Sequence, residues 1–131
     1  MLVTFCGHRE LNPKDNVQSR LFHTVDALIR EGADTFYLGG YGGFDLLATA
    51  LIKVMKERYP HIQSVLVLPY LDRKIDASDY DSTVYPPLET VPKRLAIIRR
   101  NRYMVDSADV VITYVNHGWG GAAKTLRYAQ S

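Results

Sequence analysis

The stretch Leu38-Gly39-Gly40-Tyr41-Gly42-Gly43-Phe44-Asp45 decides the predicted fold. It follows a short apolar run at 35–38, which is typical of a strand, and it leads into a helical pattern that extends to Tyr59. Backbone N–H groups at the start of a helix lack partners within the helix, and together with the helix dipole they attract anions. The stretch therefore predicts a phosphate-binding loop, although a tight turn whose glycines serve only packing fits the same pattern.

Two further turns between predicted strands and helices carry glycine and polar residues. A strand predicted at 2–6 ends in Gly7-His8-Arg9-Glu10, and a strand predicted at 109–114 is followed by Asn116-His117-Gly118-Trp119-Gly120-Gly121. With a third strand at 64–68 and helical spacing between the strands, the pattern predicts right-handed crossovers and a parallel sheet. Ligands bind beyond the carboxyl ends of such strands, so we expect the three turns to converge on one site.

The predicted fold class is α/β, a Rossmann-like three-layer sandwich with a mainly parallel sheet of four or five strands and helices on both faces. The 131 residues are predicted to form a single domain, 1–131, in which 70–93 is a long loop insertion that is polar and rich in tyrosine. A helix is predicted after Pro92. Its apolar side holds Leu95, Ile98, Val105 and Ala108, and its other faces hold Arg94, Arg99, Arg100 and Arg102.

The composition limits the partners and the compartment. With a formal net charge of only +2, we do not expect nucleic acid as a partner, although a local basic patch could still bind it. The single Cys6 excludes an internal disulfide and fits a reducing cytoplasm. No apolar run is long enough to span a membrane and no signal-peptide pattern is present, so we expect a cytoplasmic protein with no membrane partner. The histidines lack metal-ligand spacing, and we expect neither a metal site nor a cofactor.

The chain resembles the SLOG superfamily, which groups the DNA-processing proteins Smf and DprA with the Lonely Guy cytokinin-activating enzymes and YpsA-like bacterial proteins. The resemblance implies a Rossmann-like fold that binds nucleotides or nucleotide-derived ligands. The segments that carry it are Phe5-Cys6-Gly7-His8-Arg9, Gly39-Gly40-Tyr41-Gly42-Gly43-Phe44-Asp45, Arg99-Arg100-Asn101-Arg102-Tyr103-Met104, Ser107-Ala108-Asp109, Gly120-Gly121-Ala122 and Thr125-Leu126-Arg127-Tyr128-Ala129.

The resemblance to Lonely Guy enzymes is incomplete. These enzymes hydrolyse the N-glycosidic bond of nucleoside monophosphates with an Arg in an Arg-x-x-x-Met stretch and a Glu after a Pro-Gly-Gly-x-Gly-Thr loop. Arg100 and Met104 match the first element, whereas Val115 replaces the proline and Ala122-Ala123-Lys124-Thr125 contains no carboxylate. An oxocarbenium-like transition state requires negative charge or a general base nearby. The departure therefore argues against the hydrolase unless Asp45 or Glu10 replaces the missing Glu.

We predict that the chain binds a nucleotide or nucleotide-derived phosphate ligand as a sensor or regulatory protein. One alternative is a phosphoribohydrolase-like N-glycosidase with Asp45 and Arg100 as catalytic residues, and another is a DNA-binding or scaffold protein like DprA. Asp45 also fits a helix cap, and Trp119 fits either a packing anchor or a surface on which a base stacks. The predicted nucleotide-binding residues are Gly7, His8, Arg9, Gly39, Gly40, Tyr41, Gly42, Gly43, Gly118, Trp119, Gly120 and Gly121.

The expected partners are a small-molecule nucleotide and further copies of the chain. The strand at 109–114 is expected at a sheet edge, where its apolar surface would need a cover, so we expect a homo-oligomer. Related proteins often form dimers, and the resemblance implies the same assembly.

Overall fold

The structure, a computed structural model, describes residues 1–71 and 76–131. Its strands and helices alternate along most of the chain. In chain order the elements are β1 (Leu2–Gly7), a 3₁₀ turn (Pro13–Asp15), α1 (Val17–Arg30), β2 (Thr35–Leu38), α2 (Gly42–Arg58), β3 (Gln63–Val67), β4 (Ser82–Val84), α3 (Lys93–Ser107), β5 (Val110–Tyr114) and α4 (Gly121–Gln130).

The described strands form a five-stranded sheet in the order β4-β3-β2-β1-β5, and the described pairings are parallel. β1 lies inside the sheet between β2 and β5, and its residues 3–6 are buried. A strand that is covered on both faces needs apolar residues on both faces, which explains the continuous apolar run in the sequence. The predicted Rossmann-like α/β class with a mainly parallel sheet is confirmed.

Alternate side chains of β1 contact helices on opposite faces of the sheet. Val3 and Phe5 belong to the core that also contains the buried residues of α1 and α2. The thiol of Cys6 instead donates a hydrogen bond to the carbonyl of Ala122 in α4, with an S–O distance of 3.2 Å. Because successive side chains of a strand point to opposite faces, α1 and α2 cover one face, and α4 covers the other together with α3, against which it packs.

The segment 70–93, which was predicted as a loop insertion, includes the edge strand β4. Ser82, Thr83 and Val84 pair in parallel with Val65, Leu66 and Val67 of β3. Three residues are too few for the alternation of apolar and polar residues to identify a strand in the sequence. Residues 72–75 of the segment lie outside the described part of the chain.

The buried side of α3 differs from the predicted one. Ala96, Arg100 and Met104 are buried, whereas Leu95 and Ile98 are each 37% exposed. The apolar spacing predicted the wrong face because an arginine occupies the side of the helix that packs towards the sheet. A buried guanidinium requires hydrogen-bond acceptors, and these lie at the ends of two strands.

We expect Gly7→Ala to destabilise the fold because α2 lies directly against the end of β1. A Cβ atom at position 7 would lie 2.2 Å from Cγ and Cδ2 of Phe44, which is itself buried. Overpacking of this kind typically costs about 1–3 kcal/mol, to be measured as the free energy of unfolding in urea. The control is Gly118→Ala, where nothing lies within 4 Å of the added Cβ, and which should change stability by about 0.5 kcal/mol or less. Equal stability of the two variants would contradict this packing.

Candidate functional site

The loops after β1, β2 and β5, together with one side of α3, line a cavity of about 500 Å³. The predicted site residues that line it are Gly7, His8, Arg9, Tyr41, Gly42, Asp45, Arg100, Trp119, Gly120 and Gly121. The predicted residues Gly39, Gly40, Gly43 and Gly118 are not among those lining it. Lining residues that were not predicted from the sequence are Phe5, Cys6, Ile97, Asn101, Met104, His117, Ala122 and Thr125.

The floor of the cavity contains a buried arginine that joins two strands. Arg100 is 2% exposed, and its Nη1 donates to the carbonyl oxygens of Gly39 at 2.8 Å and Val67 at 2.9 Å. Its Nε donates to Oδ1 of Asn101 at 2.9 Å. Burial lowers the pKa of Arg100, and the charge of Asp45 acts in the opposite direction. The guanidinium therefore binds the carboxyl ends of β2 and β3 as well as bordering the cavity.

Asp45 lies beside this arginine, and its carboxylate accepts hydrogen bonds from the backbone N–H groups of Tyr41 and Gly39. A Cβ at Gly39 would lie 2.8 Å from Oδ2 of Asp45 and 3.1 Å from Cζ of Arg100, so only glycine leaves room for both groups. Desolvation raises the pKa of Asp45 from 3.8 to about 6, although Arg100 and the two N–H groups favour the carboxylate. Asp45 is thus a titratable group on the wall of the cavity, as well as a side chain that closes the turn before α2.

Two of the N–H groups at the start of α2 already have partners within the protein. Gly43 donates to the carbonyl of Arg9 at 2.7 Å, and Phe44 donates to the carbonyl of His8 at 3.3 Å. With Gly39 and Tyr41 donating to Asp45, the glycine-rich turn holds the loop after β1 in place. These contacts leave few donors there for a phosphate, so binding of a nucleotide by Gly39–Gly43 stays a prediction.

Three aromatic rings form a column at one wall of the cavity. The ring centroids of His8 and His117 are 3.6 Å apart with an interplanar angle of 11°, and those of His117 and Trp119 are 3.9 Å apart at 23°. Trp119 is 73% exposed at the outer end, whereas His8 is 6% exposed at the inner end. Nδ1 of His117 is buried without a hydrogen-bond partner among the described residues. The indole therefore offers an open aromatic face that is supported from behind.

The start of α4 forms the neighbouring wall and is not capped by a described side chain. Gly120 precedes the helix with a φ of 91°, a conformation that favours glycine. The first N–H groups of a helix have no partners within it, and Gly121 and Ala122 line the cavity. This helix start therefore presents unpaired donors and a positive dipole end to the cavity.

Neither a reactive thiol nor a metal-binding cluster is found among the described residues of the site. Burial raises the pKa of the Cys6 thiol to about 11, and the charge of Asp45 adds to the shift, so the thiol stays protonated at neutral pH. Within residues 1–71 and 76–131, no group of three or more His, Cys, Asp and Glu side chains is arranged to hold a metal ion. The same part of the chain contains no helix that is long and apolar enough to cross a membrane.

Comparisons with known proteins place this geometry in context. No protein-family model matches the chain. The UPF0398 protein BH1768 of Halalkalibacterium halodurans is 30% identical over an alignment of 98 residues, and the match covers 63% of this chain and 50% of that protein. The uncharacterised SPbeta prophage-derived protein YoqJ of Bacillus subtilis is 22% identical over an alignment 139 positions long, with 87% of this chain and 80% of that protein covered.

A solved structure of DNA processing protein A from Helicobacter pylori has the same fold. It superposes with a TM-score of 0.61 and 18% identity, and the match covers 99% of this chain and 60% of the other. That protein is described as binding single-stranded DNA in a unique mode. The chain thus spans about half the length of the first curated relative and 60% of the solved structure.

The fold and the three converging loops define a Rossmann-like α/β protein with a cavity at the carboxyl edge of its sheet. The chain is similar in sequence to the UPF0398 protein, and it has the fold of DNA processing protein A. The Rossmann-like fold that the resemblance to the SLOG superfamily implies is confirmed.

The expectation that nucleic acid is not a partner is wrong. A protein of the same fold, DNA processing protein A, binds single-stranded DNA. The expectation relied on the net charge of +2, which averages over the whole molecule. Binding of a phosphate backbone depends on the local arrangement of cations, and a small net charge says little about it.

We expect the stability difference between wild type and Asp45→Asn to depend on pH. Because the fold raises the pKa of Asp45 to about 6, it favours the protonated carboxyl, and wild-type stability falls as pH rises from about 4 to about 6. Asparagine does not titrate and removes this loss. Between these two pH values, the free energy of unfolding of the variant should therefore rise by up to about 3 kcal/mol relative to that of wild type. The measurement is urea unfolding at about pH 4 and about pH 7.5.

Glu57→Gln, at an exposed position of the same helix, is the control for the loss of one negative charge. The same difference between wild type and Asp45→Asn at both pH values would show that Asp45 is not a desolvated carboxyl in the folded protein.

Proposed function

We propose that the cavity binds the phosphate and the base of a nucleotide, and that the chain acts as a sensor or regulatory protein. The observation that carries the proposal is the pairing of an uncapped helix start with an exposed indole at one cavity. An anion and a planar ring are the two parts of a nucleotide, and each of these walls suits one of them. The volume of about 500 Å³ lies in the range of small-molecule sites.

The phosphate would lie at the start of α4. Unpaired N–H groups at Gly121 and Ala122 attract an anion together with the helix dipole. Arg9 also lines the cavity, is exposed, and supplies a guanidinium that can form two parallel hydrogen bonds to a phosphate. The carboxylate of Asp45 repels an anion, so it favours this placement over the floor of the cavity.

The base would stack on Trp119. Its ring is 73% exposed and rests on His117 with 3.9 Å between the centroids, so its inner face is already covered. A large aromatic surface left in water favours the stacking of another ring. Trp119 is also adjacent to Gly120 and the start of α4, which allows one ligand to reach both walls.

We expect Trp119→Ala to weaken nucleotide binding by about 1–3 kcal/mol, or roughly 5- to 150-fold in Kd, because one stacking surface is lost. The measurement is calorimetric titration with AMP, ADP, ADP-ribose and a short oligothymidylate, supported by thermal shifts. Trp119→Phe should recover most of the affinity, since it retains a ring.

Val54→Ala is the matched control, because Val54 is 59% exposed on α2 and does not line the cavity. Lack of binding or stabilisation by every member of the panel would overturn the proposal. The mixtures are also assayed for free base, and its release would identify the N-glycosidase alternative with Asp45 and Arg100 at the reacting centre.

Single-stranded DNA is the second candidate ligand, favoured by the fold shared with DNA processing protein A. If one nucleotide of the strand occupies the cavity, its neighbours in the strand would contact exposed cations beside the cavity. Arg94 precedes Ile97 of the lining by three residues on α3, and Lys124 follows Gly121 by three residues on α4. Residues three apart on a helix are neighbours, so both cations lie next to the cavity.

For this candidate, we expect binding of oligothymidylate to weaken with salt and to depend on Arg94 and Lys124. The slope of log K against log salt is negative, and each lost phosphate contact should reduce its magnitude by about 0.7, so Arg94→Gln/Lys124→Gln should make it shallower by about 1.4. Fluorescence anisotropy at several salt concentrations measures the slope.

Arg30→Gln/Arg58→Gln is the control, because these arginines pair with Asp26 at the carboxyl ends of α1 and α2. A slope that is unchanged in the Arg94/Lys124 variant, or changed equally in the control, would contradict a DNA path beside the cavity.

A further inference from the structure

His8 fixes the loop that carries Trp119 at two points. Its backbone N–H donates to the carbonyl of Tyr114 at 3.1 Å, and its Nε2 accepts the backbone N–H of Asn116 at 3.0 Å. The loop after β5 therefore leaves the sheet in a direction set by His8. The imidazole of His8 then supports His117, which supports Trp119.

The hydrogen bond from Asn116 requires one protonation state of His8. A nitrogen accepts a hydrogen bond only through a free lone pair, so Nε2 must carry no proton and Nδ1 must carry it. In the imidazolium form both nitrogens are donors, and Nε2–H would face the N–H of Asn116. Protonation would also place a cation 3.6 Å from the ring centroid of His117.

We propose that neutral His8 is a positioning residue for the nucleotide site, which acts through Asn116 and His117 on Trp119 and releases this loop when it is protonated. The inference rests on the proposed nucleotide site and adds a proton-dependent control of ligand affinity. His8 need not contact the ligand for this role, because it sets the direction of the indole that does.

The titratable and charged groups around His8 come from several elements. His117 lies across the stack, and the ring of Tyr114 on β5 lies edge-on at 6.0 Å, with its hydroxyl donating to Asp15. Arg9 and Glu10 follow His8 in the chain, and Cys6, Asp45 and Arg100 line the same cavity. Burial, and then the charge of His117, lower the pKa of His8 below its ordinary 6.5. The bond to Asn116 is therefore present above that lowered pKa and is lost as pH falls through it.

Asp45 titrates in a neighbouring range but with the opposite effect on an anionic ligand. Its pKa is about 6, and its protonation on acidification removes a negative charge from the wall of the cavity. That change favours binding of a phosphate, whereas protonation of His8 disfavours binding in this proposal. A loss of affinity on acidification therefore cannot come from Asp45.

The test exploits the fact that Trp119 is the only tryptophan in the chain, so intrinsic fluorescence reports on the column without a ligand. Emission is recorded from about pH 8 to about pH 5, and affinity for a thymidine dinucleotide is measured over the same range. Its phosphodiester does not titrate there. We expect the emission to change with a midpoint below 6.5 and the affinity to fall by up to about tenfold per pH unit below the midpoint.

Two variants separate the hydrogen bond from the ring. His8→Gln places an amide oxygen near the position of Nε2 and does not titrate, so it should lose the pH dependence, at an affinity lowered by the loss of the ring that supports His117. His8→Phe keeps a ring but leaves the N–H of Asn116 unpaired, so it should bind weakly at every pH. Far-UV circular dichroism shows whether each variant is folded. If a variant does not fold, the pH titration of the wild-type protein still tests the inference.

Wild-type emission and affinity that stay constant from about pH 8 to about pH 5 would overturn the inference, and so would a pH dependence that persists in His8→Gln. A failure of the proposed function gives a different result. In that case the fluorescence emission of Trp119 still changes when His8 is protonated, but the dinucleotide does not bind at any pH.

Discussion

The hydrogen bonds from Arg100 to the carbonyl oxygens of Gly39 and Val67 are the constraint on which the carboxyl edge of the sheet depends. They hold the ends of β2 and β3 together and bring a positive charge into a position where the arginine side chain is buried. Such a charge is tolerated only with acceptors and a nearby negative group, and Asp45 supplies the latter. The glycine at position 39 is required because both side chains occupy the space of its missing Cβ.

Much of the fold could be predicted because it depends on local patterns. The alternation of apolar strands with helical spacing is enough to select a parallel sheet, and a parallel sheet gathers the loops after its strands at one edge. That is why Gly7, His8 and Arg9 were correctly expected to lie near Trp119, more than a hundred residues away in the chain. Neither side-chain geometry nor any remote contact is needed for this inference.

The features that could not be predicted depend on partners that are distant in the chain. Arg100 was placed on an outer face of α3, because the carbonyl groups that permit its burial belong to β2 and β3. The turn at Gly39–Gly43 was interpreted as a phosphate loop, and the carbonyls that occupy its donors belong to the loop after β1. His117 belongs to the turn 116–121 that was expected at the site, but it was not named as a binding residue, because its stacking between His8 and Trp119 depends on a loop distant in the chain.

The position of β1 has a consequence for how the molecule is made. This first strand pairs on one side with β2 and on the other with β5, and the N–H of Leu2 donates to the side chain of Asp109. Translation therefore releases an inner strand of the sheet about a hundred residues before one of its two neighbours exists. On the ribosome, the β1–α1–β2–α2 half can assemble early, but the cavity has no Trp119 wall until β5 has docked. Such sequence-distant pairing is expected to make completion of the sheet the slow step of folding.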